Sequence, residues 1–269
     1  AETPQFTLSV ARLDQLSPAL LNMARPARIY VPLEEVSRLE TLPGEGPEWC
    51  AVLPRVWRDR DEPALRSQLE RARALGFTGV LIGNLGHLPL VRGMDFRLYG
   101  DYGLNVFNSR SLAYLKEKGL ESACVSFELR FAQIRDLKKV LPAEAIVYGR
   151  LPLMITENCL VQNETGCRLD RQGACVPKDG PCCRPTVLKD RTGAAFPLLP
   201  AYGHRTEIQN SKPLYLADRP DYQRLGLSLA RLRFTTETAE ECVHIAQNYL
   251  DGAPAVGDFT RGLYERGVE

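Results

Sequence analysis

The chain has 269 residues, 44% of them apolar and 25% charged, which suffices for a sizeable core and matches an ordinary globular protein. Its net charge of +1 gives no global pull toward nucleic acid or an anionic membrane. No run of about 18 apolar residues is present to span a bilayer, so no membrane partner is expected. The opening residues Ala1-Glu2-Thr3-Pro4 lack the basic stretch and apolar core of a secretion signal, so a cytoplasmic location is expected. The missing initiator Met is what an excised domain or a processed form would show.

Short apolar runs rich in Val, Ile, Leu and Phe recur along the chain. Eight read as strands: Phe6–Arg12, Arg28–Pro32, Ala51–Val56, Gly79–Gly83, Leu104–Phe107, Ala123–Phe127, Ala145–Gly149 and Arg231–Thr235. Helical spacing lies between them at Pro63–Leu75, at Ser109–Lys118 with Ser109 as the capping residue, at Phe131–Leu141, and after them at Ala239–Leu250. Weaker signals sit at Pro32–Ser37 and after Gly83. Strand–helix alternation implies right-handed βαβ units and a parallel sheet. Eight strands fit closure into a (β/α)8 TIM-type barrel within one domain, residues 1–269, with an open doubly wound sheet as the alternative. No GxGxxG follows any strand, so a dinucleotide fold has no specific support.

One interval breaks the rhythm. About 80 residues separate Gly149 from Arg231, far more than a loop and one helix need. This insert, 150–230, holds a hairpin signal at Val187–Leu199 turning at Asp190–Gly193, and a short helix near Pro220–Leu225.

In a barrel, chemistry collects at the C-terminal ends of the strands. Those ends carry Arg55, Asn84, Asn105, Asn108, Glu128, Arg150, Thr235 and Thr236. Arginines there suit a carboxylate or phosphate through bidentate pairing. Glu128 is the candidate general base, or an anchor. His87, just past the fourth strand, is expected at the surface.

The chain has eight cysteines. Cys50, Cys124 and Cys242 stand alone among apolar neighbours and read as small buried hydrophobes. Cys159, Cys167, Cys175, Cys182 and Cys183 cluster with spacing C-x7-C-x7-C-x6-C-C. That is not the CxxC…CxxC of a zinc ribbon, and an odd count leaves one thiol over from any disulfide set. A metal or iron–sulfur site is expected, with zinc, disulfides or free thiols as alternatives.

Particular runs then carry a resemblance. GDYGLNVFNS (Gly100–Ser109), YGRLPLMITENC (Tyr148–Cys159), Gly166-Cys167, Cys183-Arg184, VLKDRTGAAFPL (Val187–Leu198) and HRTEIQNSKPLYL (His204–Leu216) resemble the collagenase-like peptidase family U-32. The likeness is greatest to the barrel near the C-terminus of long members, which implies other domains of a longer parent chain as partners. The resemblance implies a hydrolase or protease by family name. It also implies kinship with members that hydroxylate RNA bases or quinones and carry a four-iron four-sulfur cluster.

Carried over, the cluster ligands would be Cys159, Cys167 and Cys183. His204 stands where close relatives place a fourth cysteine before the Arg205-Thr206 step. Histidine can ligate such iron; otherwise Cys175 or Cys182 substitutes, or the cluster is absent. Arg205 and Asn210, in the family's Arg-Thr and Asn-Ser steps, join the substrate-binding candidates. The resemblance thus implies iron–sulfur-dependent hydroxylation of an RNA base with a small anionic co-substrate. The alternatives are a metal-assisted peptidase and a non-catalytic barrel of a larger enzyme. No GxSxG, HExxH or evident Cys–His pairing accompanies the peptidase name.

Overall fold

The computed structural model describes residues 3–165, 168–169, 175–176 and 186–266. Strands and helices alternate as β1 (Gln5–Ser9), α1 (Pro18–Ala24), β2 (Arg28–Pro32), α2 (Leu33–Val36), β3 (Glu48–Val52), α3 (Glu62–Ala74), β4 (Gly79–Ile82) and α4 (His87–Val91). They continue as β5 (Arg97–Gly100), α5 (Ser109–Glu117), β6 (Leu120–Cys124), α6 (Phe131–Asp136) and β7 (Ala143–Gly149). The chain then runs through β8 (Pro152–Thr156), α7 (Leu160–Thr165), β9 (Arg168–Leu169), β10 (Cys175–Val176), β11 (Thr186–Lys189), β12 (Ala195–Ala201) and β13 (Arg205–Gln209). It ends with β14 (Leu214–Tyr215), β15 (Leu229–Arg233) and α8 (Ala239–Asp251). No helix among the described residues is long and apolar enough to cross a membrane.

Two compact units result: Ala1–Gly149 with Leu214–Glu269, and Arg150–Pro213. In the first, eight parallel strands close a ring in the order β7-β15-β1-β2-β3-β4-β5-β6, with β6 pairing back onto β7. This is the expected (β/α)8 barrel; the open sheet is excluded by the closing pair. The short β14 adds antiparallel to the end of β7. In the second, β11, β12, β13 and β8 form an antiparallel sheet. Its β11–β12 hairpin turns where expected: Asp190 Oδ1 accepts from the amides of Thr192 and Ala194, and Gly193 takes φ +85°. From Leu214 onward the interval expected as insert belongs with the barrel unit.

Helix patterns place the outer layer. Leu65, Leu69 and Ala72 of α3 are buried at helical spacing, and the turn after the helix closes at Gly76 with φ +101°. Thr238 and Glu241 cap α8 reciprocally, and Gly252 in left-handed conformation ends it. For α5 the cap is Asn108, whose side chain accepts from Ser111 N; Ser109 is the first helical residue instead of the expected cap. Helix α6 stops at Asp136, short of the expected Leu141, because Leu137 is already extended.

The fifth strand differs most. It is Arg97–Gly100, whereas Leu104–Phe107 was the expectation; Tyr102–Leu104 form a 3-10 turn and Val106 makes only an isolated bridge to Val125. A charged first residue disguised the strand, and Arg97 is satisfied at the rim by Glu121 and Glu48. The third and sixth strands likewise start three residues earlier than expected, at Glu48 and Leu120.

The barrel interior is unusually polar for a packed core. Arg28 at the start of β2 pairs with Glu48 at 3.0 Å, donates to Ser122 and lies 3.6 Å over the Tyr99 ring. Tyr99 in turn donates to Glu48. One layer up, Tyr30, Cys50, Leu81 and Tyr99 pack together. Beside them, Glu144 accepts from Thr7 and Tyr30, and Arg231 bonds both Glu144 and Asp101 while lying 4.4 Å over the Tyr30 ring. Burial opposes the Arg231 charge, but Glu144 and Asp101 outweigh it and hold its pKa well above the ordinary arginine value.

Removing one member strands the others. Arg231→Met should lower the unfolding free energy by about 3–5 kcal/mol in urea denaturation, because two buried carboxylates lose their cation. A loss below about 1 kcal/mol would contradict the network's role.

Candidate functional site

The C-terminal ends of the barrel strands carry a compact polar group. Arg55 follows β3, and its guanidinium carbon stands 5.2 Å from the centre of the Tyr102 ring. Arg233 closes β15 and stands 5.8 Å from the same ring. Tyr102 is itself buried and packs against Phe127, with ring centres 5.8 Å apart. Both guanidiniums thus stand within reach of one aromatic ring, whose quadrupole attracts each of them. Asp101, next to Tyr102, reaches down to Arg231 Nη1 at 2.5 Å.

Asn84 shapes this mouth. Its amide nitrogen lies 3.4 Å from the carbonyl oxygen of Arg55, and its Oδ1 accepts from Gly86 N at 2.8 Å. Glu128 sits half-buried in the turn after β6, with its amide donating to Ser126 Oγ. Asn105 is not at a strand end: it is an exposed residue with φ 52° that ends the 3-10 turn. Asn108 is the α5 cap already described. Thr235 is buried, its carbonyl accepting from Gln15 and Arg12.

His87 departs from its expected surface position. It is fully buried, with Nε2 donating to the Pro54 carbonyl at 3.1 Å and its ring 6.3 Å from that of Trp57. The carbonyl can only accept, so Nε2 carries a proton. Burial lowers its pKa to about 4, against the smaller opposing pull of Pro54 O and Asp101. His87 thus fixes the backbone just before Arg55. The three isolated cysteines are buried as expected, and burial pushes each thiol pKa up.

Arg231, Arg233, Asp101 and Tyr102 were not among the expected site residues. The sequence carried a signal for the first two: Arg231-Leu232-Arg233-Phe234 alternates charge and hydrophobe inside a strand, so both arginines face one side.

The second unit holds the remaining candidates. Arg150 donates to the carbonyls of Asn210 and Ser211, and Asn210 Oδ1 accepts from Lys212 N. Arg205 is buried and clasps Glu157 through two hydrogen bonds at 3.1 and 3.0 Å. Cys159 is a half-buried free thiol just before α7. The next amide, Leu160 N, donates to Thr206 Oγ1 at 3.1 Å. His204 lies two residues before Thr206, half-buried with φ 60°. This hydrogen bond adds to the β8–β13 pairing that joins the segment bearing Cys159 to the one bearing His204. Cys167, Cys182 and Cys183 lie outside the described residues, and of Cys175 only the backbone is described. Among the described residues no three His, Cys, Asp or Glu side chains converge as a metal site.

A family model for peptidase family U32 matches residues 40–185, more than half of the chain. The chain belongs to peptidase family U32. The match begins before β3 and runs through β7 into the second unit. No curated protein matches the chain. Among solved structures, a U32 peptidase superposes with a TM-score of 0.47 at 11% identity, covering 88% of this chain and 95% of that one. A thiamine phosphate pyrophosphorylase from Pyrococcus furiosus gives 0.41 at 9% identity, covering 92% and 96%. A GH18 chitinase from Cycas revoluta in complex with allosamidin gives 0.40 at 12% identity, covering 91% and 99%. Likenesses this distant carry no inference about chemistry.

The state of His87 is directly measurable. It stays neutral in the folded chain until about pH 4, but in the unfolded chain it takes a proton near the ordinary histidine value of 6.5. Below that value the unfolded state holds more protons, so stability falls as pH drops toward 4, by on the order of 3 kcal/mol. The chain has three histidines. NMR should show one ring that does not titrate above about pH 5 and that vanishes in His87→Gln; three ordinary titrations would contradict the buried neutral state.

Proposed function

We propose that this U32-family chain acts in iron–sulfur-dependent hydroxylation of an RNA base, with the barrel mouth holding a small anionic co-substrate. The observation that carries the reading is the pair of guanidiniums, Arg55 and Arg233, on the one Tyr102 ring. Such a pair is suited to binding a carboxylate or phosphate, and it offers no nucleophile for attack on a peptide.

A cysteine peptidase needs a low-pKa thiol beside an imidazole base. Cys50, Cys124 and Cys242 have the opposite character, since burial raises their pKa values. The imidazole of His87 is engaged with a backbone carbonyl. Cys50, Cys124, Cys242 and His87 therefore do not supply such a pair.

In this reading Cys159, Cys167 and Cys183, with His204, would hold a four-iron cluster, which when bound supplies one-electron chemistry. The bond from Leu160 N to Thr206 supports the placement of the first and last of these on adjoining segments. Residues 159–212 carry eight Lys/Arg against five Asp/Glu, an excess that favours an RNA backbone nearby. The reading also takes the chain to be one domain of a longer cytoplasmic protein.

Purification and reconstitution under argon with iron and sulfide tests it. Broad visible absorbance and about four irons per chain are expected, both lost in the Cys159→Ala/Cys183→Ala double variant. A colourless protein, or one holding zinc and no iron, would contradict the reading.

A further inference from the structure

Helix α5 turns one face inward and leaves the other to solvent. Leu112 and Leu115 are its buried residues. Arg110, Tyr114 and Lys118 follow at four-residue steps along the outer side, all of them exposed. Phe107, three residues before Arg110, continues the row past the helix start. The Phe107 and Tyr114 residues are 39% and 45% exposed, so two aromatic rings stand in water along one row. Lys118 Nζ lies 5.1 Å from the centre of the Tyr114 ring.

Positive charge gathers beside these rings. Ser109 Oγ accepts from Lys138 N at 2.8 Å, which brings Lys138 to the start of α5. Lys116 adds an exposed cation toward the helix end. Among the described residues, Arg110, Lys116 and Lys138 make no ion pair and no side-chain hydrogen bond. The acids nearby are few: Glu117 lies in α5 itself, while Glu121 and Asp136 are taken by Arg97 and Arg135. The whole chain carries a net charge of only +1, so this excess is local. Cations without carboxylate partners suit phosphates, and flat exposed rings suit unpaired bases. A single strand of nucleic acid offers both at once, whereas a duplex offers only its phosphates to such a surface.

We propose that the row Phe107–Arg110–Tyr114–Lys118 is a docking surface for single-stranded RNA. Bases stack on Phe107 and Tyr114, and phosphates meet Arg110, Lys116 and Lys138. Helix α5 follows the C-terminal end of β5, so the row starts at the mouth rim and leads away from it. Its nine residues make roughly 14 Å of helix, enough for about four nucleotides at ~3.4 Å each. The inference rests on the substrate being RNA, and it adds a surface that holds the strand outside the mouth.

Fluorescence anisotropy of the full chain with a labelled oligoadenylate of about eight nucleotides tests it, a length within the usual range for such surfaces. Binding should weaken as salt rises. Phe107→Ala and Tyr114→Ala should each cost about tenfold in affinity, as one lost stacked base does, while Tyr114→Phe keeps the parent value. Arg110→Ala and Lys138→Ala should each lower the slope of log affinity against log salt by about 0.7. All these side chains are exposed, so the urea midpoints of the variants should stay near that of the parent. The same RNA presented as a duplex should bind more weakly and ignore the ring variants. Single-strand binding that survives loss of both rings, or equal binding of duplex and single strand, would overturn the docking row and leave the RNA substrate standing. No binding of the oligonucleotide by the parent chain would overturn both.

Discussion

Arg231 lies in the middle of the barrel with its guanidinium bonded to Glu144 and Asp101, and much of the unit is arranged around that arginine. It projects from β15, Glu144 from β7, and Asp101 from the residue after β5, so one cation ties three strands of the ring together. Thr7 and Tyr30 bring β1 and β2 into the same network through Glu144. Buried pairs of this kind seldom stabilise more than a well-packed apolar core would, but they are costly to break. Their value lies in fixing where each partner points, and here one partner, Asp101, sits at the mouth.

The mouth continues the same alternation outward. Arg233 is two residues beyond Arg231 on β15 and so faces the same way, one layer higher. There it meets Tyr102, which Arg55 approaches from β3. Asn84 and His87, both following β4, hold the backbone that carries Arg55. Charge at the mouth is therefore prepared by layers beneath it, with side chains already paired or stacked before any ligand arrives. Prearranged charge of this sort is what a site for a small anion requires. The second unit has its own internal order, in which Arg150, Arg205 and Asn210 brace strands and turns.

Most of the fold was legible because barrel strands are buried on both faces and read as apolar runs separated by helical spacing. Arg28–Pro32 lies where the sequence put it, the strand expected at Ala145–Gly149 begins two residues earlier at Ala143, and the hairpin expected at Val187–Leu199 is formed by Thr186–Lys189 and Ala195–Ala201. The strand Arg97–Gly100 escaped notice because it is four residues long and begins with a charge that only the folded rim satisfies. Among site residues, Arg55 and Asn84 could be read because they follow apolar runs directly. Asp101 and Tyr102 could not, since they follow the strand that escaped notice, whereas the Arg231–Phe234 alternation pointed to Arg233. His87 shows the same limit from the other side: a histidine after a strand looks exposed until the carbonyl that buries it, on the neighbouring strand's loop, is in place.

The central claim is that Arg231 and Asp101 act as one unit linking the barrel core to its mouth. A double-mutant cycle with Arg231→Met and Asp101→Asn, read by urea unfolding, measures that coupling directly. The account predicts that the double variant loses less stability than the two single losses added together, by about 1–3 kcal/mol. Single losses that add to within about 0.5 kcal/mol would show that the two residues act independently, and would contradict the account.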